Sequence, residues 1–445
     1  MKVAATETVR VERMAYGSAG VGRLASGKAV FVEGAVAGDV AEVVVTDEKP
    51  RLAFARAARI VEPSPDRAQK PLCPHALECG GCAWSQLAYD VQLAHKRACV
   101  VDALVRNAHV ERERAEELVA PCAPSKRQTG YRNKLELACG TDAAGRFTLG
   151  FHREGTHDIV EPATCPLAVR YIERAPRALR GALRFLQGSQ DLGIYRVGVR
   201  GSVRTKSVEV ALWTPPSAFP RTAVAKTLVD ALRATSVVRV LAEPGRARKV
   251  KKVEALEGKG LWEESLADAR FFTTAPSFFQ VNTAQAERLV DLVMEGLEIE
   301  QGSYVADLYA GGGTFSVPLA RAGADVVAVE VAGSSVRDLR RNADANRVEV
   351  EAVCGDVARE LPELGELDAL VVDPPRAGLD PSVVDSIAAA RPARVAYVSC
   401  DPQTWARDVE RFASRGFRLA RVTPVDMFPQ TYHVETVSIF EHISA

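Results

Sequence analysis

Cys400 is the side chain in this sequence best placed to make and break a covalent bond. It stands in Tyr397-Val398-Ser399-Cys400-Asp401-Pro402. Val395 to Val398 read as a buried strand, and Asp401-Pro402 stops it. A helix is predicted from Thr404 to Phe412. A thiol at the carboxyl end of a strand, just before a helix, sits where open α/β sheets bind ligands. The helix N-terminus is expected to favour the thiolate, which is the nucleophilic form. A lone cysteine is more often a packed core residue. Two motifs upstream point to the same sheet edge and tip the reading towards chemistry.

The first is Ala306-Asp307-Leu308-Tyr309-Ala310-Gly311-Gly312-Gly313, which follows a predicted strand. Its glycines let a ligand approach the backbone. Glu330 ends the next strand about twenty residues on, where an acid can take both hydroxyls of a ribose. A Gly-rich turn of this kind fits a dinucleotide or S-adenosylmethionine equally. The second is Val372-Asp373-Pro374-Pro375-Arg376 at the end of the fourth strand. Asp-Pro-Pro there marks nucleic-acid methyltransferases more than dehydrogenases. Amino-group methyltransferases usually continue with an aromatic residue that stacks the target base, whereas Arg376 follows here.

Methylation at carbon makes use of a thiol. Carbon 5 of a uracil is too weak a nucleophile to attack a methyl sulfonium. A thiolate adding to carbon 6 makes carbon 5 enolate-like, and a base must later remove the carbon-5 proton. Cys400 supplies the thiol. Glu435, in His433-Val434-Glu435-Thr436-Val437, supplies a carboxylate just before the last predicted strand. His433 is the second choice for the base. Without Cys400, Glu435 would read as an exposed edge-strand acid.

These residues need a scaffold. From about residue 271 the pattern is βα repeats. A helix is predicted at Thr283 to Leu297, and strands at Tyr304–Leu308, Val326–Val329, Val348–Val353, Leu367–Val372 and Val395–Val398. Thr436 to Phe440 adds a final strand. This is a doubly wound parallel sheet with a late antiparallel pair. Residues 1–62 alternate as four or five short strands, at Thr8–Arg13, Ala29–Val32, Val40–Val45 and Leu52–Val61, and fit a small barrel. Glu62-Pro63-Ser64-Pro65 is a linker into a mixed α+β region, 63–270, whose first helix runs from Asp90 to Asn107. Within that region Tyr131-Arg132-Asn133-Lys134 can stack a base and bind phosphate. The cation run from Arg246 to Lys252 reads as a solvated hairpin, and Arg196, Arg200, Arg204 and Lys206 stud one pair of strands.

A chain of 445 residues suggests about three domains, in line with this division. Lys plus Arg and Asp plus Glu both number 57, so local patches, not overall charge, must hold any polyanion. The sequence has no apolar run long enough for a membrane span and no apolar core of a signal peptide near Met1, so a cytoplasmic protein is expected. Nine cysteines in such a protein suggest metal or catalytic use. Cys73, Cys79 and Cys82, with five and then two residues between them and Gly80-Gly81 inside, form a tight ligand loop. Cys165, in a Cys-Pro turn, is the best fourth ligand. The spacing fits zinc or a 4Fe–4S cluster. Cys99, Cys122, Cys139 and Cys354 read as core.

The stretch from Met14 to Gly22 and on through Phe31 to Asp39 resembles the TRAM domain, an OB-like barrel used to hold RNA. Ser277-Phe278-Phe279-Gln280-Val281-Asn282, Asp307-Leu308-Tyr309, Asp373-Pro374-Pro375-Arg376, Ser399-Cys400-Asp401-Pro402 and His433-Val434-Glu435 together resemble the RNA 5-methyluridine methyltransferases. The likeness covers nearly the whole chain and is greatest to the iron–sulfur 23S rRNA branch. It implies an N-terminal TRAM barrel, a central α+β domain with the cysteine loop, and a C-terminal class I methyltransferase domain from 271 to 445. It implies Cys400 as nucleophile, Glu435 as base, and Gln280, Tyr309, Glu330 and Asp373 in contact with S-adenosylmethionine, with Asp356 near the adenine. It also implies a 4Fe–4S cluster on Cys73, Cys79, Cys82 and Cys165 that is structural or positions RNA. The partner is RNA, 23S rRNA first, with no membrane and no obligate protein partner evident. Ala310 departs from the family, where many members have cysteine.

Rival readings are a tRNA uridine-C5 enzyme, an RNA cytosine-C5 methyltransferase, a non-catalytic RNA-binding module and a dehydrogenase. Cytosine-C5 enzymes carry a cysteine after the Asp-Pro-Pro-type motif, where this chain has Arg376.

Overall fold

The computed structural model describes residues 6–188, 191–245 and 249–443. The N-terminal strands Thr6–Met14, Gly20–Arg23, Ala29–Glu33, Val40–Glu48 and Leu52–Glu62 close into a barrel. Alternation drives it: Val9, Val11, Val30, Val32, Ala41, Val43, Ala53 and Ala55 all point inward and are buried. Gly20–Arg23 is a fifth strand beyond the four located in the sequence. A Cβ on Gly22 would lie 2.4 Å from the carbonyl oxygen of Arg10, so only glycine lets the two strands approach.

The central region holds a seven-stranded sheet. Its middle strands are Lys134–Thr141, Arg196–Gly201, Val208–Thr214 and Ser236–Leu241, and Ala175–Gln187 and Arg221–Leu232 are its helices. Leu135, Leu137, Leu179, Leu183, Val197, Val210 and Leu228 form their shared core. The helices Tyr89–Asn107 and Arg112–Leu118 lie earlier in the chain, yet pack elsewhere. Val100, Val101, Leu104, Ala115 and Val119 join the core of the C-terminal sheet. Part of the cation run, Arg246 to Arg248, lies outside the described residues.

The C-terminal sheet has seven strands in the order Glu351–Cys354, Asp325–Glu330, Tyr304–Leu308, Ala369–Val372, Arg394–Ser399, Glu435–His442, Phe417–Val425. The first five run parallel, and the last two are added antiparallel. Thr283–Leu297 is helical, as its apolar periodicity predicts, and Asn282 caps it through Gln285 N–H. The helix after Cys400 spans Pro402–Ala413. The strand Phe417–Val425 has no clear period-2 signal. Arg418 and Arg421 interrupt its apolar residues, and its register slips between Leu419 and Arg421. The expected strand at Val348–Val353 begins later, at Glu351. Cys354, expected in the core, ends that edge strand and is exposed. Among the described residues no helix is long and apolar enough to cross a membrane.

Candidate active site

The strands Arg394–Ser399 and Glu435–His442 are antiparallel neighbours, and Ser399 pairs with Thr436 at their last rung. Cys400 follows Ser399 and Glu435 precedes Thr436, so the ladder itself carries thiol and carboxyl to one end of the sheet. Asp373 and Arg376 follow Ala369–Val372, the strand on the other side of Arg394–Ser399. The four groups feel one another's charge.

Burial pushes the Cys400 thiol up to about 12, helped by the carboxyls of Glu435, Asp373 and Asp401 and opposed by Arg376. The thiolate is therefore not favoured, against the expectation from the helix N-terminus. The reason is local. Asp401 caps that helix, its carboxylate accepting from Gln403 N at 2.8 Å and Thr404 N at 3.3 Å. The donors that would stabilise a thiolate are taken, and a carboxylate stands next to the sulfur. Glu435, 5% exposed, is raised well above the ordinary carboxylate range by burial and then by Asp373. His433 goes the other way, down to about 4, through burial and the cations Arg376, Lys96 and Arg132. At neutral pH it is a neutral, weak base, which favours Glu435 for proton removal.

The residues expected to hold a methyl donor gather at the same sheet edge. Tyr309 follows the first strand with φ 60°, a left-handed conformation that a non-glycine residue adopts at a cost of about 1–2 kcal/mol. The Glu330 carboxylate accepts from Gly311 N at 3.0 Å and Ala332 N at 2.6 Å, fixing it beside the glycine turn. Asp356 caps the short helix Val357–Glu360 through Ala358 N at 3.0 Å. Gln280 Nε2 reaches Asp373 Oδ2 at 3.5 Å, which ties the Phe278–Gln280 segment to the end of the strand Ala369–Val372. Burial and the nearby Asp307 push Asp373 up to about 7. Asp307 is buried too, at about 7, with one oxygen bound by Ser316 and the other, Oδ1, without a hydrogen-bond partner.

Two residues here were not singled out as site residues in the sequence. Asp307 had a signal, an acid set in the apolar strand Tyr304–Leu308. Tyr16, from the turn after the first barrel strand, had none. Its hydroxyl donates to the carbonyl oxygen of Cys400 at 3.1 Å, across 384 residues of chain.

Other expectations change. Tyr131 is buried and donates to the Pro429 carbonyl oxygen at 3.0 Å, so its ring is not free to stack a base. Phe278, 62% exposed and two residues from Gln280, is the open aromatic face. Arg200 is buried and holds the carbonyls of Thr274 and Ser277, so it supports the Gln280 loop and is closed to phosphate. Arg204 pairs with Glu287, and Arg196 with Glu136.

Cys73, Cys79, Cys82 and Cys165 are all half-buried. The folded chain gathers them: Cys82 is pushed up to about 12 by burial and by the charges of the other three. Backbone N–H groups face the sulfurs, from His75 to Cys73 at 3.4 Å, from Gly81 to Cys79, and from Leu167 and Ala168 to Cys165. Gly80 turns the loop at φ 67°, where a Cβ would strike Glu154. This donor set suits a thiolate-ligated group. As the side chains stand, no three His, Cys, Asp or Glu among the described residues form an arrangement that could hold a metal ion.

Comparison with known proteins gives the family. Residues 2–58 match the TRAM domain, and residues 223–443 match tRNA (Uracil-5-)-methyltransferase. An uncharacterized RNA methyltransferase of Gloeobacter violaceus is 36% identical, covering 98% of this chain and 96% of that protein. One of Thermotoga maritima is 32% identical over 97% of this chain and 98% of the relative. Among solved structures, the Pyrococcus abyssi tRNA (uracil-54, C5)-methyltransferase in complex with S-adenosyl-L-homocysteine superposes with a TM-score of 0.75 at 27% identity, covering 97% of this chain and 99% of that one. The chain belongs to the RNA uracil-5-methyltransferase family, with a TRAM domain at its N-terminal end.

Proposed function

We propose that this protein methylates carbon 5 of a uridine in RNA, with S-adenosylmethionine as donor, Cys400 as nucleophile and Glu435 as the base. The observation that carries the reading is the rung Ser399–Thr436, which sets a thiol and a protonatable carboxyl side by side at the ligand-binding edge of the sheet. The Pyrococcus abyssi neighbour, named for uracil-C5 transfer and bound to the demethylated donor, supports it.

The donor supplies an electrophilic methyl group on a sulfonium. Gln280, Tyr309, Glu330, Asp356 and Asp373 hold it, and the unpartnered oxygen of buried Asp307 and the exposed apolar Val331 beside Glu330 fit such a ligand. The chain's own residues carry the covalent steps. Cys400 gives up its proton to water, and its sulfur bonds to carbon 6 as the carbon 5–carbon 6 π pair moves towards oxygen 4. That pair returns through carbon 5 to form the bond to the methyl group, whose bond to the donor sulfur breaks with its electron pair left on that sulfur, so that the donor leaves as a neutral thioether. The Glu435 carboxylate takes the carbon-5 proton, and the freed pair expels the Cys400 sulfur as carbon 5–carbon 6 becomes double again. Because the thiol rests protonated, deprotonation belongs to the substrate-bound state. The target base must leave its stack to reach the half-buried sulfur.

The preferred substrate is 23S rRNA, from the sequence likeness to that branch; tRNA is the second reading, supported by the Pyrococcus abyssi neighbour, which is named as a tRNA methyltransferase. Cys73, Cys79, Cys82 and Cys165 are proposed to hold a 4Fe–4S cluster that braces the chain and takes no part in methyl transfer. The deciding experiment uses rRNA and tRNA carrying 5-fluorouridine. Fluorine cannot leave as a cation, so the enzyme is expected to remain bonded to the methylated base. Methylation of ordinary RNA with no adduct to either fluorinated RNA would sink the mechanism.

A further inference from the structure

We propose that Tyr16, on the barrel, is a positioning residue for Cys400, so that the TRAM domain completes the active site. This rests on the reading of Cys400 as nucleophile. The Tyr16 hydroxyl donates to the Cys400 carbonyl oxygen at 3.1 Å. Cys400 lies between the end of a strand and the start of a helix, where no ladder fixes its peptide plane. A hydrogen bond to that carbonyl restrains the ψ of residue 400, and with it the direction of the sulfur.

The same side chain touches the other half of the pair. The Tyr16 ring packs edge-on against Tyr432, with centroids 5.5 Å apart and planes at 81°. Tyr432 lies against His433 at 4.2 Å, two residues before Glu435. The turn that carries Tyr16 is itself held. Ala15 N–H donates to Ala19 at 3.0 Å, and the indole of fully buried Trp84 donates to the Gly17 carbonyl at 2.9 Å. The Trp84 backbone N–H in turn donates to the Gln430 carbonyl at 3.0 Å, in the segment leading to Glu435. A barrel loop thus bridges the nucleophile and the strand that bears the base. Such a bridge favours one sulfur direction for attack on carbon 6.

The test is Tyr16→Phe in the full chain, which keeps the ring on Tyr432 and removes only the hydroxyl. With 5-fluorouridine RNA at saturating concentration, the rate constant for covalent adduct formation should fall about five- to tenfold, the loss of one positioning hydrogen bond. RNA affinity, S-adenosylmethionine affinity and melting temperature should stay at wild-type values. An adduct rate within twofold of wild type overturns the proposal, as does a slower rate matched by an equal loss of RNA affinity or melting temperature, which would mark a purely structural tyrosine. If the wild-type enzyme forms no adduct, the chemistry assigned to Cys400 fails, and this proposal fails with it.

Discussion

Ser399 and Thr436 form the final rung between two antiparallel strands, and the Thr436 hydroxyl donates to the Ser399 carbonyl oxygen at 3.4 Å. Because side chains alternate along a strand, one rung fixes which residues meet beyond it. Cys400 and Glu435 need no long loops to find each other. A one-residue slip of Glu435–His442, which is buried on both faces from Glu435 to Phe440, would put Val434 or Thr436 in place of Glu435 and exchange the side chains that pack on the two faces. The register that builds the core of Val395, Tyr397, Ile439 and Phe440 therefore also builds the site.

The cysteine loop gives the first prediction. Protein purified without oxygen is expected to contain about four iron and four acid-labile sulfide per chain. Replacing Cys82 by Ser should abolish both. A colourless protein with one zinc would leave a structural metal site and remove the cluster.

Asp307 gives a stability prediction with a definite sign. Its folded-state value is about 7, above the ordinary carboxylate value of 3.8. Between these values the native state keeps its proton while the unfolded chain loses it. Stability falls as pH rises through that window, and above about 7 the loss is complete. Asp307→Asn carries no charge in either state. It should raise stability at pH 8 by on the order of 2–4 kcal/mol, with the gain shrinking to near zero by about pH 4. Urea unfolding at the two pH values measures this. A gain that is equal at both would show that burial of the charge is not the cause.

Lys96 and Asp426 form an ion pair with no exposed side-chain surface. Lys96 also donates to the Phe428 carbonyl at 3.0 Å, and Tyr89 donates to Asp426 at 2.6 Å. The pair pins the segment before Glu435 to the helix Tyr89–Asn107. Lys96→Met leaves a buried carboxylate unpaired and should cost about 3–5 kcal/mol, whereas Lys96→Met with Asp426→Leu should recover part of that loss. Chemical denaturation of the two variants distinguishes them. If the double variant is no more stable than the single one, the lost contacts of Asp426 outweigh its unpaired charge.

The sequence carries those parts of the site that are local. The helix Thr283–Leu297, the parallel strands and the turn at Asp401-Pro402 follow from periodicity and capping. Register and distant contacts are not local. The helix Tyr89–Asn107 shows an apolar face, but nothing in its pattern says that this face meets the C-terminal sheet. Tyr131 looks like a base platform among its cations and is instead spent on the Pro429 carbonyl. Cys400 looks activated by its helix, yet the Asp401 side chain occupies the donors first. In each case a residue type limited the chemistry while a tertiary partner decided its use.

The order of the covalent steps makes the last prediction. Cys400 must bond to carbon 6 before the methyl group moves, and Glu435 acts only afterwards, so the two variants should fail in different ways. Cys400→Ala cannot form the adduct, and carbon 5 never becomes nucleophilic. It should bind RNA and the methyl donor and leave the RNA unmethylated. Glu435→Gln keeps the sulfur and the donor site. Its buried amide cannot take a proton, so the methylated base should stay bonded to Cys400. The expected product is a protein–RNA adduct that carries labelled methyl and survives a denaturing gel. Removing Glu435 also takes away the first charge that burdens the thiol, so adduct formation should be no slower than in the wild type. Gels of labelled reactions, quenched over time, read all of this. Methylation by Cys400→Ala would move the methyl group to a heteroatom, and fast release of product by Glu435→Gln would pass the role of base to another group.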